Sequence, residues 1–295
     1  MKPRERWLIT GASGQLGGHL IRRLSIDVSA DDLLAVVRAN SPIPAGCSLS
    51  RIDLADFDAL HRMIREFRPT YVIHTAALTA VADCYRDPDA ATRLNATGTG
   101  ILAEATADVG GRFVFTSTDM VFDGDHAPYG ETAEPSPSSV YGHSKLAGER
   151  ETCRFDRSLV VRIPLMYGFP AVPRETTYTR QVAALRAGEP LKLFTDEFRT
   201  PAWLGDAARA LIGLARSEYA GLIHIAGPER MSRYDIVAGI ARHLGIQNPH
   251  LDKISRLAFE SPEPRPADLS LKYEILRLEF PELLPGPMRP EAFAE

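Results

Sequence analysis

Cysteine is scarce in this chain of 295 residues. Cys47, Cys84 and Cys153 are odd in number and lack metal-ligand spacing, which points to a reducing cytoplasm rather than to a disulfide framework. No apolar run is long enough to span a membrane, and with the first apolar strand so near residue 1 a signal peptide is not expected. A basic surplus is also missing. With 34 Lys and Arg against 38 Asp and Glu, the net charge of −4 argues against a nucleic acid or an anionic membrane as the main partner. The pair Arg22-Arg23 is too short for a nucleic-acid patch. His74, His143 and His224 are scattered, with no HExxH spacing, so no metal site is expected. There are no internal repeats. What remains, 44% hydrophobic and 24% charged residues, is the balance of a soluble globular protein with one large core or two lobes.

Apolar runs and helical patterns alternate along that core. Strands are expected at Trp7–Thr10, Leu33–Arg38, Ser48–Ile52, Tyr71–Ala76, Arg112–Thr118 and Ser158–Ile163, and a further one at Gly221–Ala226. Helices are expected at Phe57–Phe67, Asp89–Val109 and Ser138–Thr152. Near-continuous apolar strands separated by helices predict an α/β fold, a Rossmann-type doubly wound parallel sheet covered on both faces. After residue 164 the rhythm changes. Pro164–Pro173 reads as a loop, Thr176–Ala187 as a helix, Leu191–Phe198 as a strand, Ala202–Arg216 as a helix, and Ser232–Leu244 as a helix capped by Ser232. The expected division is a dinucleotide-binding domain over residues 1–165, joined again by 202–228, and a smaller C-terminal α/β substrate lobe formed by 166–201 and 229–295.

The first strand runs into a glycine turn, Gly11-Ala-Ser13-Gly14-Gln15-Leu16-Gly17, and then a helix. Glycines permit the tight turn and let backbone N–H groups approach a pyrophosphate, and the helix N-terminus adds partial positive charge. The spacing is G-x-x-G-x-x-G, one residue wider than the common dinucleotide fingerprint. Where an NAD-selective site carries a carboxylate at the end of the second strand, this chain has Arg38, which suits a 2′-phosphate and favours NADP(H) over NAD(H). Asp53 and Leu54 follow the third strand, where an adenine-edge contact falls. Ala76 and Ala77 end the fourth at the same cofactor edge.

Tyr141 and Lys145 stand four residues apart, so on a helix they share one face. A cation beside a phenol favours the phenolate, and such a Tyr can exchange a proton with a carbonyl oxygen near neutral pH. His143 falls on another face of that helix and is expected in solvent. Cys84 is expected to be buried and inert.

Several stretches together resemble the extended short-chain dehydrogenase/reductase superfamily and, within it, the dTDP-4-dehydrorhamnose reductase family. They are Gly14-Gln-Leu-Gly17, Arg68-Pro-Thr-Tyr-Val-Ile-His-Thr-Ala-Ala77, Ser117-Thr-Asp-Met-Val-Phe122, Val140-Tyr-Gly-His-Ser-Lys-Leu-Ala-Gly-Glu149 and Arg265-Pro266. The resemblance implies a general acid at Tyr141 and a hydrogen bond from Thr118 to the reacting oxygen. It implies that Lys145 holds the nicotinamide ribose and lowers the Tyr141 pKa, and that Asp119, Met120 and Leu165 line the sugar pocket. It also implies a nucleotide-sugar substrate and a homodimer.

Two positions depart from the family pattern: Met120 replaces a Tyr, and Leu165 stands where an aromatic is frequent. Both changes remove sugar-recognition groups, a phenol hydrogen bond and a stacking face. The stretches Arg162-Ile-Pro-Leu-Met-Tyr-Gly168 and Gly227-Pro-Glu-Arg-Met-Ser-Arg-Tyr234 also resemble the methionine adenosyltransferase regulatory β subunit. That resemblance implies a non-catalytic NADP-binding subunit with a partner enzyme. A third reading is a nucleotide-sugar epimerase or dehydratase, against which Arg38 speaks because such enzymes normally retain NAD.

Overall fold

Seven parallel strands build the central sheet of the computed structural model, which describes residues 4–42 and 45–288. In chain order the first half contains β1 (Trp7–Thr10), α1 (Gln15–Leu24), β2 (Leu33–Val37), β3 (Ser48–Arg51), α2 (Phe57–Phe67) and β4 (Tyr71–His74). There follow α3 (Val81–Arg86), α4 (Pro88–Thr92), α5 (Gly98–Asp108), β5 (Arg112–Thr118), α6 (Val140–Thr152) and β6 (Leu159–Ile163). The second half contains β7 (Met166–Tyr167), α7 (Thr177–Ala187), β8 (Leu191–Phe194), β9 (Phe198–Arg199), β10 (Ala202–Trp203) and α8 (Leu204–Arg216). It ends with β11 (Gly221–His224), β12 (Met231–Ser232), α9 (Arg233–His243), β13 (Leu251–Ile254) and α10 (Glu274–Glu279).

The sheet order is β11-β6-β5-β4-β1-β2-β3, and the strand order reverses between β1 and β4. This is the expected Rossmann-type α/β sheet, and the reversal opens a crevice at the carboxyl ends of the strands. Side chains alternate between its faces with period two. Trp7, Ile9, Ala35 and Val37 pack with Leu16 and Leu20 of α1 and Leu204 and Leu211 of α8. Leu8, Leu34, Val36, Phe113 and Phe115 pack with Leu60 and Ile64 of α2 and Leu102 of α5. Each fully buried side chain of this size contributes about 1.5–3 kcal/mol.

Helix ends follow local chemistry. The Asp56 side chain accepts from Ala59 N at 3.0 Å to start α2, and Arg68 in the left-handed conformation ends it just before Pro69. Thr176 with Thr179, and Ser232 with Asp235, close capping boxes on α7 and α9.

A second apolar cluster gathers Tyr167, Val182, Leu185, Leu193, Ile236, Val237 and Ile240, around α7, α9 and the parallel pair β8–β13. Strand β11 pairs with β6, so the chain rejoins the large sheet. We propose that the two lobes carry the expected bounds, 1–165 with 202–228 and 166–201 with 229–295.

The structure corrects some element bounds. The expected helix Asp89–Val109 is α4 and α5 joined by a π turn at Arg93–Thr97, which accommodates the buried Asn95. Leu191–Phe198 divides into β8 and the start of β9, because Thr195 to Glu197 turn the chain, and Ala202-Trp203 is a short strand paired with β7 before α8 begins.

Candidate active site

The turn after β1 is shaped by packing as well as by any ligand. Gly11 has φ +66, and a side chain there would meet Ala76 N at 2.8 Å. Only glycine fits, which brings the turn against Thr75 and Ala76 in the loop that follows β4, with Ala77 next along it. Gly14 N donates to Gly11 O at 2.7 Å and Gly14 stands at the N-cap of α1 without a side-chain cap, so the first-turn N–H groups are free to face an anion. Ser13 and Gln15 are half-buried beside the turn, and the Leu16 side chain packs into the core beneath it. Arg174, from the loop after β7, donates to Ser13 O at 3.2 Å and adds positive charge beside it. A cradle of this shape and charge fits a dinucleotide pyrophosphate.

The adenine edge is more open. Arg38 is exposed at the end of β2, and Arg51, the register partner of Val37, reaches across to donate to the carbonyls of Arg38 at 3.2 Å and of Ala39. Two guanidiniums therefore flank this corner, where the sequence reading found one. Asp53 is exposed and accepts from Ala55 N at 2.9 Å, closing a local turn, while Leu54 packs against the α2–α5 core.

Strand β5 ends at Thr118, and α6 is pressed directly onto the turn that follows. A side chain at Gly142 would meet the Met120 carbonyl at 2.2 Å. That close approach sets Tyr141, one residue earlier, against Thr118, whose hydroxyl is the one neighbour that favours the phenolate. Thr118 Oγ1 also accepts from Met120 N at 3.2 Å and donates to Asp119 Oδ1 at 3.1 Å. Asp119 is buried, Oδ2 lies 3.4 Å from Arg199 Nε without a hydrogen bond, and burial raises its pKa.

The expected effect of Lys145 on Tyr141 is not what the structure shows. Burial, and then the Asp119 carboxylate, push the phenol well above its ordinary value. Lys145 sits 4.0 Å over the Phe115 ring, buried, and burial lowers its own pKa to about 7, with Glu149 opposing. The phenol thus holds its proton, which suits an acid rather than a phenolate. Met120 packs beside Val121 and Phe122. Leu165 lies against the second-lobe cluster, its carbonyl accepting from Ala202 N at 3.1 Å.

Sequence reading passed over several residues that build this site. Asn95 holds the loop after β4 to α6: its Nδ2 donates to Leu78 O and Ser144 Oγ, both at 2.9 Å, and its Oδ1 accepts from Leu78 N at 2.8 Å. A polar residue inside an apolar helix was the available signal. Glu263 accepts from Val140 N at 2.6 Å, so the second lobe caps the helix that carries Tyr141. Nothing in the sequence links positions so far apart. His143 is exposed, and Cys84 is buried with its thiol pushed up to about 11, as expected for inert positions. Among the described residues no group of His, Cys, Asp or Glu could hold a metal ion.

The RmlD substrate binding domain family matches residues 5–285 of the chain. The chain belongs to that family. It is 33% identical to the dTDP-4-dehydrorhamnose reductase of Mycobacterium tuberculosis over 268 residues, 88% of this chain and 83% of that one. It is also 29% identical to methionine adenosyltransferase 2 subunit beta of Danio rerio over 293 residues, 94% and 85% of the two chains. Among solved structures, dTDP-4-dehydrorhamnose reductase from Bacillus anthracis in complex with NADP superposes with a TM-score of 0.83 at 25% identity, covering 98% of this chain and 97% of that one. The parallel seven-stranded sheet is the α/β fold expected of this family. No described helix is long and apolar enough to cross a membrane.

Proposed function

We propose that this protein is an NADP-dependent reductase of the 4-keto group of a nucleotide-linked deoxysugar, similar in action to dTDP-4-dehydrorhamnose reductase. The observation that carries this reading is the meeting of Thr118 and a protonated Tyr141 at the carboxyl edge of the sheet, with Lys145 one helical turn on. Gly11, Ser13, Gly14, Gln15, Leu16 and Gly17 would hold the cofactor's pyrophosphate, with Ala76 and Ala77 beside them. Asp53 and Leu54 would border the adenine, and Arg38 with Arg51 the 2′-phosphate. NADPH, when bound, supplies the hydride. Tyr141 gives its proton to the carbonyl oxygen, and Thr118 donates a hydrogen bond that steadies the negative charge developing there. Lys145, with a pKa near neutrality, would hold the nicotinamide ribose and would be a nearby proton source for the phenol. Asp119, Met120 and Leu165 would face the sugar.

The test is NADPH oxidation with a dTDP-4-keto-6-deoxy sugar. Tyr141→Phe is expected to lower turnover about 10²–10⁴-fold with little change in NADPH affinity. Equal turnover in variant and parent would remove Tyr141 from the chemistry. A second reading, an NADP-binding regulatory subunit with a partner enzyme, is favoured by the 29% identity to methionine adenosyltransferase 2 subunit beta and by the apolar Met120 and Leu165. Tight NADPH binding without turnover, together with capture of a methionine adenosyltransferase, would favour it.

A further inference from the structure

Side chains alternate along β5 with period two, so Phe115 and Ser117 share one face of the strand. Their partners on α6, Lys145 and Glu149, are one helical turn apart. Ser117 Oγ donates to Glu149 at 2.5 Å, and Lys145 Nζ stands 4.0 Å from the centre of the Phe115 ring, over its face. The ring is wedged in place. A side chain at Gly148 would meet its Cζ at 2.9 Å, and His74 of β4 stacks on it at 5.8 Å with the planes 22° apart.

A buried ammonium needs something in place of the water it has lost. Lys145 is only 3% exposed, and it forms no hydrogen bond or salt bridge with any described residue. Glu149 is occupied on both oxygens by Arg162 and Ser117. What faces the charge at contact distance is the negative face of the Phe115 ring, and such a contact, away from water, favours the cation by about tenfold or more. It differs from an ion pair in geometry as well. A carboxylate would engage the N–H donors of the ammonium, whereas a ring face supports the charge and leaves donors on the far side free.

The other charged or titratable groups around this corner are Tyr141 and Glu149 on α6, His74 on β4, Arg162 on β6, Cys84 on α3 and Asp119 after β5. Near neutral pH His74 stays uncharged, with a pKa of about 3, Cys84 stays a thiol at about 11, and the Tyr141 phenol keeps its proton. Lys145, at about 7, is poised to change charge in that range.

We propose that Phe115 is a positioning residue: its ring face seats the Lys145 ammonium one turn from Tyr141 and leaves N–H donors free for the ribose of a bound cofactor. Its bearing on catalysis rests on the reductase reading above, whereas the contact itself needs no ligand.

Phe115→Leu would open a cavity and mix packing with charge, so the test replaces Phe115 by mono-, di- and trifluorophenylalanine in the full-length chain. Fluorine draws electron density from the ring face and keeps its shape nearly unchanged, so a ring that only filled space would not respond. The titration of Lys145 is followed by NMR through its side-chain carbon resonance, assigned by its loss in Lys145→Arg, without and with NADPH. Its midpoint is expected to fall stepwise along the series, by about one pH unit at the trifluorinated ring, because the ammonium loses support. Thermal midpoints should stay close together. With the dTDP-4-keto-6-deoxy sugar and NADPH, the limb on which kcat is lost as pH rises should move down with the NMR midpoint. A Lys145 midpoint unmoved by fluorine overturns the proposal, as does a kcat limb that stays in place while the midpoint falls. A stepwise fall without NADPH oxidation by the parent upholds the Phe115 contact and removes the reductase reading. Oxidation by the parent with an unmoved midpoint does the reverse.

Discussion

Two buried carboxylate–arginine pairs flank α6 and the end of β5, and they are built for different ends. Glu149 and Arg162 meet in a double hydrogen bond of 2.8 and 2.7 Å, with Ser117 Oγ donating to the same carboxylate at 2.5 Å. Asp119 and Arg199 meet at 3.4 Å, and the facing carboxylate oxygen has no hydrogen bond. The first pair is closed: its carboxylate is occupied on both oxygens, and it lies behind Lys145, where Arg162 also covers the Phe122 ring at 5.0 Å. The second is open, at the cost of a raised Asp119 pKa. A buried pair whose carboxylate is occupied on both oxygens fixes the position of a helix. One with an idle oxygen keeps bonding capacity for something that arrives later.

Breaking the closed pair should have the largest effect. Arg162→Leu leaves Glu149 buried without its cation, and is expected to lower the unfolding free energy by about 3–5 kcal/mol in urea melts. A loss under about 1 kcal/mol would mean that the pair contributes little beyond packing. The open pair should respond in the opposite way. Asp119→Asn removes a charge that burial already penalises, so the thermal midpoint should stay or rise, while kcat/KM falls about tenfold to hundredfold through lost sugar bonding. Parallel loss of stability and activity would erase the distinction.

Acid sharpens it further. His224, beside Arg162, and His74, between Thr10 and Thr99, are buried, and burial lowers each pKa to about 3. Both pKa values are depressed relative to the unfolded chain, which therefore binds more protons between pH 6.5 and 3. Stability is accordingly lost as pH falls through that window, by about 1.4 kcal/mol per pH unit for each histidine. His224→Gln should shed one share of that slope in urea midpoints measured from pH 6.5 to 4, and an unchanged slope would show that folded His224 takes up its proton there as the unfolded chain does. The smallest expected effect lies farthest from both pairs. Arg38→Asp should weaken NADPH about tenfold and NADH little, and an unaltered preference would leave Arg38 as an ordinary surface residue.

Much of the cofactor side was legible because it is written in short segments. The glycine turn, the end of β2 and the Tyr141–Lys145 spacing each depend on residues within one turn or helix, where periodicity and φ preferences are local properties. The substrate side was less so. Glu197, Arg199, Arg233, Glu263 and Arg265 come from loops, a short strand and the start of α9 in the second lobe, brought together only by the fold. Even on the cofactor side the sign of one effect was missed. Helical spacing puts Tyr141 and Lys145 on one face, yet the charge that acts on the phenol comes from Asp119, and desolvation outweighs it.

The sequence by itself determined the α/β alternation, the parallel sheet and the identity of the residues at its carboxyl edge, because strand burial, turn chemistry and capping are read from neighbours along the chain. Only the tertiary structure decided which charges those residues meet. Distance and burial set electrostatic strength, and both depend on contacts between residues far apart in sequence: Glu263 on the N-terminus of α6, Arg199 beside Asp119, and Lys145 over the ring of Phe115.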